Sequence, residues 1–301
     1  MRKGVRYNEC KKVDKIATVI FYIISMFIVF LLGAFILYIL YKGGSMLKPS
    51  FLFGNPKLTG AGGGIAPQLF NSFYMLVISL IITIPIGVGA GIYLAEYAKE
   101  GPILKFIRMS LETMSSLPSI VIGMFGLLVF VNMAGWGYSI LAGALSVSIL
   151  NIPSMTRISE NAINTASKRV KEASLGLGAT RWQTLAKLTV PTAMGEILTG
   201  IILAAGRIFG EAAAFLYTAG LSSKNLNFNT ISMTGNSSAF SLFRPAETLA
   251  VHIWKLNSEG AVVDAAQIAN GTAAVLIIAV LLFNVCARLI GNRLMKAYSG
   301  K

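Results

Sequence analysis

One histidine, His252, and two cysteines, Cys10 and Cys286, are the whole supply of imidazole and thiolate metal ligands in 301 residues. A zinc site draws on several such side chains, so a histidine-based metal centre has too few ligands here. Cys10 stands in a basic tail and Cys286 inside an apolar run, which excludes a disulfide framework. Charge is scarce as well, at 13% of residues, where a soluble domain carries about 25%. Acidic residues are the scarcest class of charge, 12 against 26 lysines and arginines. No Gly-x-x-x-x-Gly-Lys-Ser/Thr phosphate loop occurs, and no soluble segment is long enough for an ATPase domain. There is no paired acidic metal motif and no Ser/His arrangement, which argues against a membrane enzyme.

What the chain has instead is apolar length. Apolar residues make up 55% and mean hydropathy is +0.70, more than a water-soluble fold of this size can hide. A spanning helix takes about 20 mostly apolar residues. Ile16 to Tyr41 carries no charge. It is too long for the roughly 7–15-residue core of a signal peptide, and no small-residue cleavage site follows it, so it reads as an uncleaved first helix. A second run covers Phe70 to Ala95. Thr113 to Thr156 is uncharged for 44 residues, which as one helix would reach about 66 Å, twice the hydrocarbon core. It must turn back, and Asn132-Met133-Ala134-Gly135-Trp136-Gly137 supplies the break. Helix three is then expected over Thr113–Val131, helix four over Tyr138–Ile152, helix five over Pro191–Ala219 and helix six over Gly271–Ala287. The expectation is an all-α integral membrane protein with six crossings.

Charge sets the orientation. Nineteen of the 26 basic residues fall on one side of these crossings: the tail 1–15, the stretch with Lys99, Lys105 and Arg108, the loop 156–190 and the C-terminal end, 292–301 included. Six lie on the other side: Lys42, Lys48, Lys57, Lys224, Arg244 and Lys255. The positive-inside rule puts the nineteen, and both termini, in the cytoplasm. The basic balance is thus a topology signal, and nucleic-acid binding is not needed to explain it. Outside lie the linker 42–69, with its Gly-rich stretch Thr59–Gly64, and the long loop 220–270.

The cytoplasmic loop has helical patterning of its own. Ile158, Ala162, Ala166, Val170 and Ala173 form an apolar stripe, and Gly176 and Gly178 end it. Thr180 and Gln183 fit a capping box, with Trp182, Leu185 and Leu188 on one face behind it. The loop reads as two short helices around a glycine bend. Helix five holds Arg207 and Glu211, the former about 22 Å beyond Thr192 and so close to the bilayer centre. A charge there costs at least about 2.5–3.5 kcal/mol. Gly200, Ala204, Arg207, Glu211, Ala214 and Thr218 share one face, so the charges point along a strip of small side chains. Two readings stand: a substrate pathway, in which Arg207 offers bidentate contact to an oxyanion and Glu211 orients or tunes it, or a structural ion pair between residues four apart. Pro85, Pro118 and Pro153 read as helix kinks, Trp136 and Tyr138 as anchors at the outer interface, and His252 as an ordinary loop residue. Asn71 and Asn151 fit a pathway and helix packing equally.

Glu172-Ala173-Ser174, three residues, Gly178, nine residues, then Leu188-Thr189-Val190-Pro191 resembles the EAA loop of the permease subunits of ABC importers, with Ser174, Leu188 and Val190 as mild departures. The resemblance implies a type I ABC importer permease fold with a permease core over 70–291, in which a cytoplasmic coupling helix docks on an ATPase. Glu172, Ala173, Ser174 and Gly178 are then the ATPase-coupling residues. From Asn71-Ser72 onward the chain is similar to the phosphate importer permeases PstA and PstC. Arg207-Ile208-Phe209-Gly210-Glu211 matches their Arg-x-x-Gly-Glu element, and Glu247–Trp254 is closer to PstA, with Ala250 and Trp254 departing. That likeness implies two PstB-like ATPases carrying ATP and magnesium, a PstC-like second permease, a PstS-like external binding protein, no cofactor in this chain, and a bacterial or archaeal cytoplasmic membrane. Permeases for sulfate, molybdate or phosphonate share the loop and remain alternatives, as does an ATP-independent carrier.

Overall fold

The computed structural model describes residues 2–57, 62–222, 226–234, 238–259 and 263–299. Residues 59–61 of the Gly-rich linker, Lys224 and Lys301 lie outside them. Each long apolar run forms a helix, and the first is longer than its uncharged part: α1 (Arg2–Gly43) includes the basic tail. Its described apolar side chains from Val13 to Tyr41 are largely exposed, as befits a helix surrounded by lipid. The linker holds one short turn of helix, α2 (Pro49–Leu52).

Small residues set the centre of the bundle. α3 (Ala66–Glu96) crosses α6 (Ile140–Gly176) at Gly87 and Gly91. A Cβ on Gly91 would stand 2.5 Å from Ser159 Cβ and 2.7 Å from the Thr156 carbonyl oxygen, so the two helices meet backbone to backbone. Between them, α4 (Pro102–Ser115) bends by 97° into α5 (Ser119–Gly126), which continues as a π-helical turn over Leu127–Met133. The third crossing therefore starts at Ser119 and not at Thr113. Pro118, which has no N–H to extend α4, stands at the corner. The expected break follows, with Gly135 and Gly137 at φ +69° and +65°.

α6 corrects the expected pair of short loop helices. It runs unbroken for 37 residues, through Pro153, so the fourth crossing and the first loop helix are one rod. The apolar stripe explains this. Ala162, Ile163 and Ala166 join Met155, Leu185, Ala193 and Ile197 in a buried cluster that extends the core past the crossing. A short helix α7 (Arg181–Thr184) leads through a π turn (Leu185–Thr189) into α8 (Val190–Gly210). The fifth crossing does not continue unbroken to Ala219. Glu211 is extended (φ −72°, ψ 124°), and a separate α9 (Ala213–Thr218) follows. α10 (Leu249–Glu259) lies in the loop before α11 (Ala265–Ser299).

Among the described residues four stretches are long and apolar enough to cross a membrane: Val13–Met46, Ala66–Glu96, Arg181–Gly210 and Ala265–Arg293. The bent α4–α5 pair reaches that length only when its two helices are taken together. The remaining expected crossing is the first half of α6, where Ser146, Ser148 and Asn151 lower the apolarity. All three are buried against the bundle.

Candidate functional site

The elbow between α6 and α7 is built by local chemistry. Gly178 has φ +85°, a left-handed conformation that glycine adopts without strain, and a Cβ there would meet nothing within 4 Å. The glycine is thus required by backbone shape, not by space. The capping box forms as the sequence indicates: the Gln183 N–H donates to Thr180 Oγ1 (3.2 Å) and the Thr180 N–H to Gln183 Oε1 (2.9 Å). Ser174 is buried, and its hydroxyl pairs with Thr184 Oγ1 at 2.9 Å, tying the end of α6 to α7. Glu172 and Ala173 are exposed on the same turns. Beside them Leu177 is 89% exposed and Trp182 67%, an apolar tip on a loop that carries six basic residues. Further along, Arg108 donates twice to Glu160 Oε1 (2.7 and 3.0 Å) and Lys171 pairs with Glu96, so the α6 extension is braced to α4 and α3.

Arg207 and Glu211 are not brought together. The break after Gly210 turns Glu211 inward, where it is buried and accepts the Ala214 N–H at 3.0 Å, capping α9. Among the described residues the two form no ion pair, which removes the structural-pair reading. The break also separates Ala214 and Thr218 from the face of Arg207. Arg207 is exposed, and its Nη1 points to Ser154 Oγ of α6 at 3.4 Å. The outward face of α8 carries Thr192, Glu196, Thr199, Leu203, Arg207 and Gly210, all exposed. A helix that crosses lipid is here polar on the side that no other described residue covers.

A third cluster, at the start of α3 and in the loop 220–270, escaped the sequence reading. Arg244 is 5% exposed and donates to Asn71 Oδ1 (2.8 Å), to the Ala239 oxygen (2.7 and 3.0 Å) and to the Pro245 oxygen (3.2 Å). Burial lowers its pKa to about 10. Asn71 Nδ2 reaches the Glu247 carbonyl (3.1 Å), and the Glu247 carboxylate takes Gln68 Nε2 (3.1 Å) and His252 Nδ1 (2.9 Å). His252 is therefore a buried member of α10 and not an ordinary loop residue. Asn71 ties α3 to Arg244 and Glu247 in the stretch before α10, and Asn151 is buried and donates to the Val147 oxygen of its own helix at 2.9 Å. Gln68, Asn71 and Ser72, spaced three and four apart at the start of an apolar run, were the available signal. Trp136, expected as an anchor at the outer interface, is half-buried and stacks on Phe130.

Residues 87–299 match the family described as binding-protein-dependent transport system inner membrane component. The chain is 50% identical over 286 residues to the probable ABC transporter permease protein YqgI of Bacillus subtilis, covering 95% of this chain and 97% of that one. It is 30% identical to the phosphate transport system permease protein PstA of Pasteurella multocida, over 93% and 95% of the two chains. Among solved structures, the MetNI methionine ABC transporter in an inward-facing conformation superposes with a TM-score of 0.55 at 18% identity, over 77% of this chain and 94% of that chain. That is a likeness of fold. A match over most of the chain, a close relative along nearly its full length and a shared fold agree: the chain belongs to the family of binding-protein-dependent transport system inner membrane components, as an ABC importer permease subunit.

Proposed function

We propose that this chain is the PstA-type permease of an ATP-driven importer of inorganic phosphate. The observation that carries the reading is Arg207: an exposed guanidinium on the uncovered polar face of a membrane-crossing helix, with the Ser154 hydroxyl beside it. Such a charge is costly unless it serves a solvated path, and a planar fork of N–H donors suits a tetrahedral oxyanion. The relatives named as phosphate permeases support the cargo. A PstC-like second permease completes the pathway, and a PstS-like protein delivers phosphate from outside. Two PstB-like ATPases hold ATP and magnesium, so nucleotide hydrolysis belongs to them. Both termini face the cytoplasm. Closure of the ATPase pair moves the elbow of Glu172, Ala173, Ser174 and Gly178, and the braced α6 rod carries that motion to the α8 face. Glu211, by holding the break between α8 and α9, sets where Arg207 stands.

Uptake of labelled phosphate and sulfate tests this. Phosphate uptake is expected in cells carrying the wild-type complex, with at least about a tenfold loss for Arg207→Ala, the factor that corresponds to about 1.4 kcal/mol, and a partial loss for Arg207→Lys. Uptake of sulfate in place of phosphate would transfer the assignment to another oxyanion. Uptake by this chain without ATPase subunits would overturn the importer mechanism.

A further inference from the structure

α4 has two apolar faces, and the chain covers only one. Leu104 is buried against α6, and Ile107 and Leu111 share that side. Arg108–Glu160 and Arg157–Glu112 (3.4 Å) fasten the same helix to α6. On the other side Ile103, Phe106 and Met109 are 76%, 64% and 59% exposed. They recur every third residue, so they form one stripe. α5 runs within the bundle, where Gly123 packs on Ala214 of α9, and the 97° bend makes α4 perpendicular to it. A helix perpendicular to a crossing lies in the plane of the membrane.

The surroundings identify what covers the stripe. α4 follows the cytoplasmic end of α3 after a short turn, and that end exposes Tyr93 and Tyr97, the aromatic type that gathers at the headgroup level. Lys99 and Lys105 are exposed at the rim and have no ionic partner among the described residues. The acidic groups nearby are engaged: Glu100 with Arg108 at 3.6 Å, Glu112 with Arg157, and Glu160 with Arg108. An apolar stripe with free lysines at its edge is the signature of a helix resting in an anionic interface. We propose that α4 is an in-plane anchor at the cytoplasmic surface of the membrane, with Ile103, Phe106 and Met109 among the acyl chains and Lys99 and Lys105 on anionic lipid headgroups.

Site-directed spin labelling of the purified transporter complex tests this independently of the cargo. The label is placed at Phe106→Cys, and separately at Ile103→Cys, in a Cys10→Ser/Cys286→Ser chain. Vesicles of phosphatidylcholine are compared with vesicles containing phosphatidylglycerol. The expected result is a mobile label that collides more with oxygen than with a water-soluble nickel chelate, and more so with phosphatidylglycerol present. Lys99→Gln/Lys105→Gln should remove that lipid dependence. A label immobile and shielded from both reagents would mean that another subunit covers the stripe. One open to the nickel chelate would mean that it faces water. An acyl-level label that is indifferent to phosphatidylglycerol would remove the headgroup contact. Each of these outcomes overturns the proposal.

Discussion

Arg244 and Arg207 show how burial alone divides two residues of one type. Arg244 has four donor contacts, all to neutral oxygens, and is buried within the loop 220–270. Replacing it with methionine keeps much of the volume but removes the donors to Asn71 Oδ1 and the Ala239 oxygen. Hydrogen bonds from a charged group are each worth about 1.5–3 kcal/mol, so Arg244→Met should destabilise the protein by about 3 kcal/mol. Thermal unfolding in detergent measures this. Arg244→Lys should lie between the two, because an ammonium cannot make the fork that reaches Asn71 and Ala239 together. Arg207, exposed and with a single long contact to Ser154, should behave in the opposite way. Arg207→Ala should leave the unfolding midpoint within about 0.5 kcal/mol of the parent's stability while removing uptake.

At the scale of elements, two joints set the shape of the bundle: the α3–α6 crossing and the elbow. At Gly91 an added methyl meets the backbone of α6, which cannot rotate away, whereas a Cβ on Gly89 in the same helix meets nothing within 4 Å. Gly91→Ala is therefore expected to cost about 1–3 kcal/mol as an overpacking change, and Gly89→Ala to be neutral or slightly stabilising. Comparing their unfolding midpoints separates contact from helix propensity. At the elbow, Thr180→Ala removes one half of the capping box, about 1 kcal/mol. Gly178→Ala forces a side chain into the left-handed region, about 1–2 kcal/mol. Both should loosen the turn without unfolding the bundle, lowering the amount of ATPase recovered with the tagged chain, and Thr180→Ser should restore it. Much of this was legible in the sequence, because capping and turn chemistry are local: Thr180, Gln183, Gly178, Gly135 and Gly137 do what their types dictate. Pro118 marked the Ser116–Pro118 corner as a kink, but not its 97° angle, and the break at Glu211 was not legible. An uncharged run does not fix the angle of a bend inside it, and the bond from the Ala214 N–H to the Glu211 carboxylate exists only once α8 and α9 have parted. The Arg244 cluster was hidden for another reason: Asn71 and Arg244 meet across a sequence separation that periodicity does not reach.

The whole molecule is unfinished on one side, and that side is polar. α1 exposes apolar side chains from Val13 to Tyr41, which lipid can solvate. α8 exposes Thr192, Glu196, Thr199 and Arg207, which lipid cannot solvate without penalty. An ABC importer permease works with a second permease, and the α8 face is where its surface must lie if these groups are to find water or partners. Leu203 stands in the middle of that face and is largely exposed. In a chain freed of Cys10 and Cys286, Leu203→Cys should form a disulfide-length crosslink to a cysteine scanned along the second permease. Nucleotide bound to the ATPase subunits should change the yield, since the elbow is braced to α6 and α6 packs on α8. A crosslink that forms at equal yield in every nucleotide state would mean a static interface and place the pathway elsewhere. If Leu203→Cys is instead modified by a lipid-soluble maleimide equally well with and without the second permease, the polar face is not the joint between subunits, and Arg207 loses its place on the path.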